Sequence, residues 1–400
     1  MQKKSILIIT TKNLFPPEDG RADTVSKRLK ILSNFPEYEI TILNIQKKIS
    51  KNYCPYPFIF INIIYKLNPF QVIKGLCKGL PFQVSIYFGK LLNNQIKDAL
   101  KGLQFDILIT DMARTAFIGL SIKAKYRILD LDDLLSERYK LQLSSKTKIS
   151  LGKIPFYCPN ILQDIFARLI LRYEAFSLAA FEKKVVDNFD LTLLVSDEEV
   201  AKLQKRINTK KKVIPLHNYI QIEANLPLKR KDNTIVFFGN LSTAHNVDTA
   251  LWILESIFPA IKKQVEDAVF ILAGKSVNPS ILIYKDKPGI QIMQDVPDLF
   301  ELIADATLCL TPFRFGSGIK TKILEAMALK IPVITNQIGA EGIPDAENCL
   351  YICDTEKDMI NRAINILNGT ENLNKIGKAY DIVVSKFSYQ VVAEKLISIL

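Results

Sequence analysis

The segment Thr311-Pro-Phe-Arg-Phe-Gly-Ser-Gly-Ile-Lys-Thr-Lys-Ile-Leu-Glu-Ala-Met-Ala brings together residue types that do chemistry as a group. Gly316 and Gly318 flank Ser317 just ahead of a helical stretch that carries Glu325. Glycines let backbone N–H groups approach a ligand, and a helix N-terminus favours negative charge, so a loop of this kind can wrap a diphosphate. Arg314, Lys320 and Lys322 supply compensating positive charge. Glu325, one or two turns into the helix, can accept two vicinal hydroxyls such as those of a ribose. The same pattern also fits an ordinary strand-loop-helix corner with solvated lysines.

Two further loops have suitable residues. Phe238 to Asp248 contains Gly239, Asn240, His245 and Asn246, and Asn13 to Arg21 contains a Pro-Pro pair followed by Gly20 and Arg21. Gly20 would admit backbone to a phosphate, although a plain turn accounts for it equally. Asp111, Asp132 and Asp133 follow apolar runs, at the carboxyl ends of strands where ligands of open α/β sheets bind. Asp133 is also placed to cap a helix. No acidic pair in the second half and no His or Cys cluster has metal-ligand spacing, so no metal is expected.

The elements that must position these residues follow from periodicity. Short apolar runs alternate with helical spacing along the whole chain, which predicts an α/β fold of two doubly wound, Rossmann-like parallel sheets. In the first half strands are expected at 6–9, 39–43, 107–110, 127–131, 191–195 and 212–214, with a helix over 23–33 and a capping box at Ser196 and Glu199. Residues 50–90 and 140–172 read as irregular insertions. In the second half strands are expected at 234–238, 269–273, 290–293, 307–310, 332–335 and 350–352. Val247, Ala250, Leu251, Leu254, Ile257 and Phe258 mark one packed helix face. The expected domains are residues 1–216, 217–385 and a returning helix over 386–400, with the boundary near Pro215 to Lys231.

The chain of 400 residues has a net charge of +12, split as +15 over residues 1–216 and −3 over 217–400. No zinc finger, aromatic RNA-binding strand or basic recognition helix accompanies that bias, so an anionic membrane or acceptor is the expected partner rather than nucleic acid. The scattered cysteines read as reduced and mostly buried. Without a signal-peptide cleavage site or a span of roughly 20 apolar residues, a cytoplasmic location is expected, peripheral on the membrane where the basic half meets it.

The stretch Lys322 to Ile343, KILEAMALKIPVITNQIGAEGI, resembles the C-terminal signature of the group 1 (family 4) glycosyltransferases of the GT-B fold, in a subgroup with the pattern GSG-x-x-x-K-x-LEAMA. The resemblance covers the second half. It implies a retaining, hexosyltransferase-type enzyme with no cofactor beyond a nucleotide diphosphate sugar as co-substrate, acting on a cell-envelope polysaccharide or lipid-linked glycan. By that likeness Glu325 is the second glutamate of a paired motif that holds the donor ribose, and Ser317 occupies the place of the first. Gly239, Asn240 and Asn246 fall in the family's first donor loop, where Asn240 replaces an arginine, so the cation must come from Lys320 or Lys322. The loop ending at Gly20 and Arg21 resembles the family's acceptor loop, with Arg21 in place of a second glycine. The family often has a histidine at the first-domain strand ends, whereas this chain has none before His217, which leaves Asp111, Asp132 or Asp133 to orient the acceptor. Phe387-Ser-Tyr389 resembles the start of the crossover helix. The competing readings are an inactive nucleotide-sugar-binding member of the fold and a nucleotide-sugar epimerase. A dinucleotide oxidoreductase is disfavoured by the lack of GxGxxG after either first strand.

Overall fold

A computed structural model describes residues 3–48, 54–144, 160–208, 212–222, 230–316 and 318–400, with side chains of the long helix described from residue 165 onward. The described residues divide into two compact units, the first made of residues up to 144, 160–218 and 392–400, the second of 219–391. Each is a parallel α/β sheet.

The sheet of the first unit has the order β3-β2-β1-β4-β5-β6-β7, with β1 Lys4–Thr10, β2 Tyr38–Gln46, β3 Ile59–Ile64, β4 Phe105–Asp111, β5 Ala124–Asp132, β6 Leu191–Leu194 and β7 Lys212–Pro215. Helices cover both faces of a parallel sheet, so its central strands read as continuous apolar runs rather than alternating ones. Ile6, Leu7 and Ile9 of β1 are accordingly fully buried. The strand β3 was not expected. It lies within the stretch read as an insertion, and its sequence IFINII, at the sheet edge and half exposed, lacks both a buried run and clean alternation.

The helices that bear on the site are α1 Gly20–Leu32, α2 Pro69–Cys77, α3 Leu135–Ser144, α4 Asn160–Val186, α5 Ala244–Trp252, α6 Thr321–Ala328 and α7 Tyr389–Ser398. The first begins three residues ahead of expectation because Asp19, in extended conformation, accepts a hydrogen bond from the Ala22 N–H and caps it. The second stretch read as an insertion contributes α3 and α4, while residues 145–159 lie outside the described residues.

The second unit has the order β10-β9-β8-β11-β12-β13, with β8 Thr234–Phe238, β9 Val269–Gly274, β10 Ile290–Gln294, β11 Leu308–Leu310, β12 Val333–Thr335 and β13 Tyr351–Ile352. Its core centres on Phe237, Phe238, Phe258 and Phe270. Beyond α5 the helix widens into a π turn at Ile253–Ile257 before Phe258–Gln264. Pro259 has no N–H to bond the preceding turn, which accounts for the irregularity.

The returning segment starts at Val392, later than the expected residue 386. Phe387 is buried in the second unit, where its carbonyl accepts from the Ile220 N–H, and Tyr389 packs edge-on against Tyr219. In the first unit Leu396 lines the same small cavity as Leu29, Leu32, Leu216, Arg21 and Arg28.

Candidate active site

In the second unit the candidate site gathers where β8 and β11 end. After β8 the backbone turns at Gly239, whose N–H donates to the Ala273 carbonyl. A Cβ placed on Gly274 would lie 1.7 Å from the Gly239 carbonyl oxygen, so only glycine lets the two strand ends approach this closely. Asn246, in the first turn of α5 and 4% exposed, donates from Nδ2 to the Asn240 carbonyl at 2.8 Å. Its Oδ1 accepts from Lys322 Nζ at 2.5 Å. The Asn240 side chain folds back on its own loop, accepting from the Ser242 N–H and hydroxyl.

The loop after β11 is anchored at its first half. Asn336 Oδ1 accepts from the N–H groups of Phe313 and Gly339, and its Nδ2 donates to the Phe313 carbonyl. The Thr335 hydroxyl donates to the Thr311 carbonyl, and the Thr249 hydroxyl to the Pro312 carbonyl. Gly316 and Gly318 both have positive φ, and Gly318 at +70° is in the left-handed region that side chains disfavour. Ser317 lies outside the described residues. Lys320, only 8% exposed, precedes α6 and donates from Nζ to the Gly318 carbonyl at 2.6 Å, with Glu341 at 3.9 Å.

Lys322 is the pivot of the arrangement. Its Nζ lies 4.1 Å from the Phe237 ring centroid and would be 3.1 Å from a Cβ on Gly239. Burial pushes its pKa down to about 7, against the opposing pull of Cys309 and Glu325, and the charge of Lys320 adds to the depression. Near pH 7 the ammonium is therefore only partly protonated, poised to gain charge when an anion arrives. Glu325, half-buried, follows on the same helix. The structure thus brings together Gly239, Asn240, Asn246, Gly316, Gly318, Lys320 and Lys322. Arg314 is drawn to one side, its guanidinium stacked 4.3 Å from the Trp252 ring centroid and 3.5 Å from Asp248. His245 packs near Phe313, with ring centroids 6.2 Å apart. Sequence reasoning missed the anchoring role of Asn336, Thr335 and Thr249, because a buried amide or hydroxyl that braces a loop has no local spacing signal.

In the first unit Arg21, Arg28, Asp111, Asp130 and Asp132 form a buried ion network. The Arg21 Nε donates to Asp111 at 2.6 Å and its Nη1 to Asp132 at 2.9 Å, while Nη2 lies 2.7 Å from Asp130. Arg28 pairs with Asp130 as well, and its pKa is pushed down to about 9 by burial and by the charge of Arg21. Thr10 donates to the second Asp111 oxygen at 2.6 Å. The expected loop residue Arg21 is therefore a hub with 5% of its side chain exposed, and Asp132, at 18%, is the most exposed carboxylate it holds. Asp132 has φ of +68°, where a register shift interrupts the pairing of β5 with β6. Such strain persists only when surrounding contacts fix it.

Asp133 is buried and pairs with Arg138. At the start of α3 the first-turn N–H of Ser136 donates to Glu182, and Glu199 accepts from the N–H of Leu134 just ahead of the helix. Burial raises the Glu199 pKa to about 7. Gly20 opens α1 with open space where a Cβ would stand. No group of three His, Cys, Asp or Glu able to hold a metal occurs among the described residues.

Residues 232–369 match the family Glycosyl transferases group 1. A protein from Klebsiella pneumoniae described as an uncharacterized 44.6 kDa protein in the cps region is 22% identical over 353 residues, covering 84% of each chain. Among solved structures, TarM aligns over 99% of this chain and 98% of its own with a TM-score of 0.68 and 12% identity. The pneumococcal O-GlcNAc transferase GtfA, in complex with UDP and GlcNAc, aligns over 100% and 99% with a TM-score of 0.66 and 11% identity. Sucrose-phosphate synthase from Thermosynechococcus elongatus gives 0.67 and 13% over 99% and 98%. The fold is thus GT-B, two Rossmann-like α/β units, and the match to the glycosyl transferases group 1 family lies within the second unit.

Proposed function

We propose that the chain is a retaining glycosyltransferase whose second unit holds a nucleotide diphosphate sugar and whose acceptor is a polysaccharide or lipid-linked glycan at the membrane surface. The observation that carries this reading is the convergence of Lys322, Asn246 and Gly239 with the glycine loop before α6, inside the segment matched by the family. In this reading the loop N–H groups, Lys320 and Lys322 stabilise the departing diphosphate while an oxocarbenium-like sugar meets the acceptor hydroxyl, and Glu325 holds the ribose. Electrostatic stabilisation aimed at developing charge supplies most of the rate gain in catalysis of this kind. The positive side chains take the place of a divalent metal.

UDP is the first nucleotide to test, because it accompanies GtfA in the structure with GlcNAc and TarM in a complex with fondaparinux and α-GlcNAc-glycerol. The Klebsiella relative's place in a cps region supports a polysaccharide acceptor. A thermal-shift comparison of UDP, GDP and ADP identifies the base, since a ligand bound only by the folded state raises apparent stability by mass action. Donor turnover with a glycan acceptor then separates this reading from its rivals. Release of UDP with no acceptor needed would indicate an epimerase, and binding without turnover an inactive member of the fold.

A further inference from the structure

From residue 40 to residue 97 the chain contains eight lysines and no aspartate or glutamate. The structure shows what this acid-free stretch presents. On α2, Phe70 and Ile73 point outward at 83% and 57% exposure, and Cys77 continues the same face. Beside it, α4 turns a second apolar stripe to solvent, in which Leu169, Tyr173 and Phe176 follow at spacings of four and three. The Tyr173 hydroxyl donates to the carbonyl of Leu80 and reaches that of Leu76, which joins the two stripes into one surface. The single acidic side chain of α4 between Ile165 and Phe181, Glu174, is buried and accepts from the N–H groups of Phe82 and Gln83, so it adds no negative charge outside. Lys66, Lys74, Lys78 and Arg172 border the patch and are exposed.

From this arrangement we infer that α2 and α4 of the first unit form the face that docks on an anionic lipid bilayer, with Phe70, Ile73, Leu169 and Phe176 entering the interface and the lysines meeting the headgroups. Exposed large apolar patches of this kind mark interaction surfaces. An apolar stripe bordered by Lys and Arg is the arrangement of helices that lie in the plane of a membrane surface. Charge selects the occupant. A second copy of the chain would bring a matching row of cations against this one, whereas an anionic bilayer complements it. None of the described helices is long and apolar enough to cross a membrane, so contact is peripheral. Ile63 and Tyr65, in the apolar run ahead of α2, are core residues, so the exposed apolar side chains of this region lie on α2 and α4. The inference rests on the proposed function only for the nature of the acceptor.

The test is sedimentation of the full chain with phosphatidylcholine vesicles, with and without phosphatidylglycerol, at low and high salt. Attraction to headgroups is screened over about 8 Å at physiological salt. The chain is expected to pellet with anionic vesicles at low salt and to be released as salt rises. Removing two phenylalanines from the interface, Phe70→Ser with Phe176→Ser, lowers the partition coefficient at least about tenfold, on the scale of burying such side chains. Both positions are exposed, so the fold is retained, and an unchanged melting temperature checks this. Sedimentation of the double variant equal to wild type, or recovery of wild type in the supernatant with both vesicle types, overturns the inference. So does a dimeric wild type that becomes monomeric in the double variant without vesicle binding. The UDP thermal shift on the same preparations reports separately on the transferase reading.

Discussion

Lys322 offers the most quantitative test of the donor site. Its pKa is brought from the ordinary 10.5 to about 7 by burial, with Asn246 Oδ1 as its hydrogen-bond partner. A diphosphate placed beside the glycine loop restores the charged form, so binding takes up a proton. At pH 8, one unit above the free value, about 0.9 of Lys322 is neutral, and a bound pKa near the ordinary value gives uptake of about 0.9 proton per site. The complex then holds more protons than the free protein between pH 7 and the bound pKa, so affinity rises as pH falls through that window and levels off below about 7. Each unit recovered corresponds to about 1.4 kcal/mol, which sets a ceiling of roughly 5 kcal/mol for complete recovery. Titration calorimetry with UDP at pH 8, in buffers of different ionisation enthalpy, measures the uptake directly. The secondary phosphate ionisation lies near pH 6 and contributes little there. Lys322→Met is expected to bind more weakly and to lose the buffer dependence. Tight UDP binding whose enthalpy is independent of buffer in the wild type would refute the assignment. The same shift has a sign in the unliganded protein: the unfolded chain holds the proton that folded Lys322 lacks, so stability falls as pH drops from about 10 to 7.

Glu325→Ala is expected to weaken nucleotide binding by about 1.5 to 3 kcal/mol, the range for a hydrogen bond to a charged group, with an unchanged melting temperature, and calorimetry decides it. Arg21→Ala leaves Asp111, Asp130 and Asp132 without their shared cation and is expected to cost about 3 to 5 kcal/mol in chemical denaturation, where a loss under about 1 kcal/mol would show the network to be dispensable. Sugar transfer is expected to persist in EDTA, and restoration of lost activity by Mg²⁺ or Mn²⁺ would show that a metal takes part.

What could be read in advance was what is local in sequence. The apolar runs of β1 and β8, the glycine loop with Lys320 and Lys322, and the capping box at Ser196 all depend on near neighbours. The Arg21 network joins residues about 90 to 111 positions apart, and no spacing rule announces such a partnership. Arg21 therefore read as a residue offered to a ligand. The face of α4 was illegible for another reason. Periodicity shows that a helix has two faces, yet both faces here are apolar, so the burial of Leu171 and Leu178 and the exposure of Leu169 and Phe176 are decided by tertiary packing, in which Leu178 joins Leu129, Leu131 and Leu194. Arg314 shows the limit at a single site, where a stack on Trp252 from a neighbouring helix competes with the ligand that charge alone suggested.

Because residues 392–400 belong to the first unit, that unit is discontinuous along the chain. Leu396 closes on Leu29, Leu32 and Leu216 around the Arg21 and Arg28 cluster, and Lys4 Nζ donates to the Leu400 carbonyl. During translation the ribosome delivers residue 218 long before residue 392, with the whole second unit made in between. At about 5 to 20 residues per second, the nascent first unit waits roughly 10 to 35 seconds with its buried charges uncovered on one side. Its assembly is thereby tied to completion of the second unit, and a polypeptide released before residue 392 would carry an open seam where Leu396 belongs.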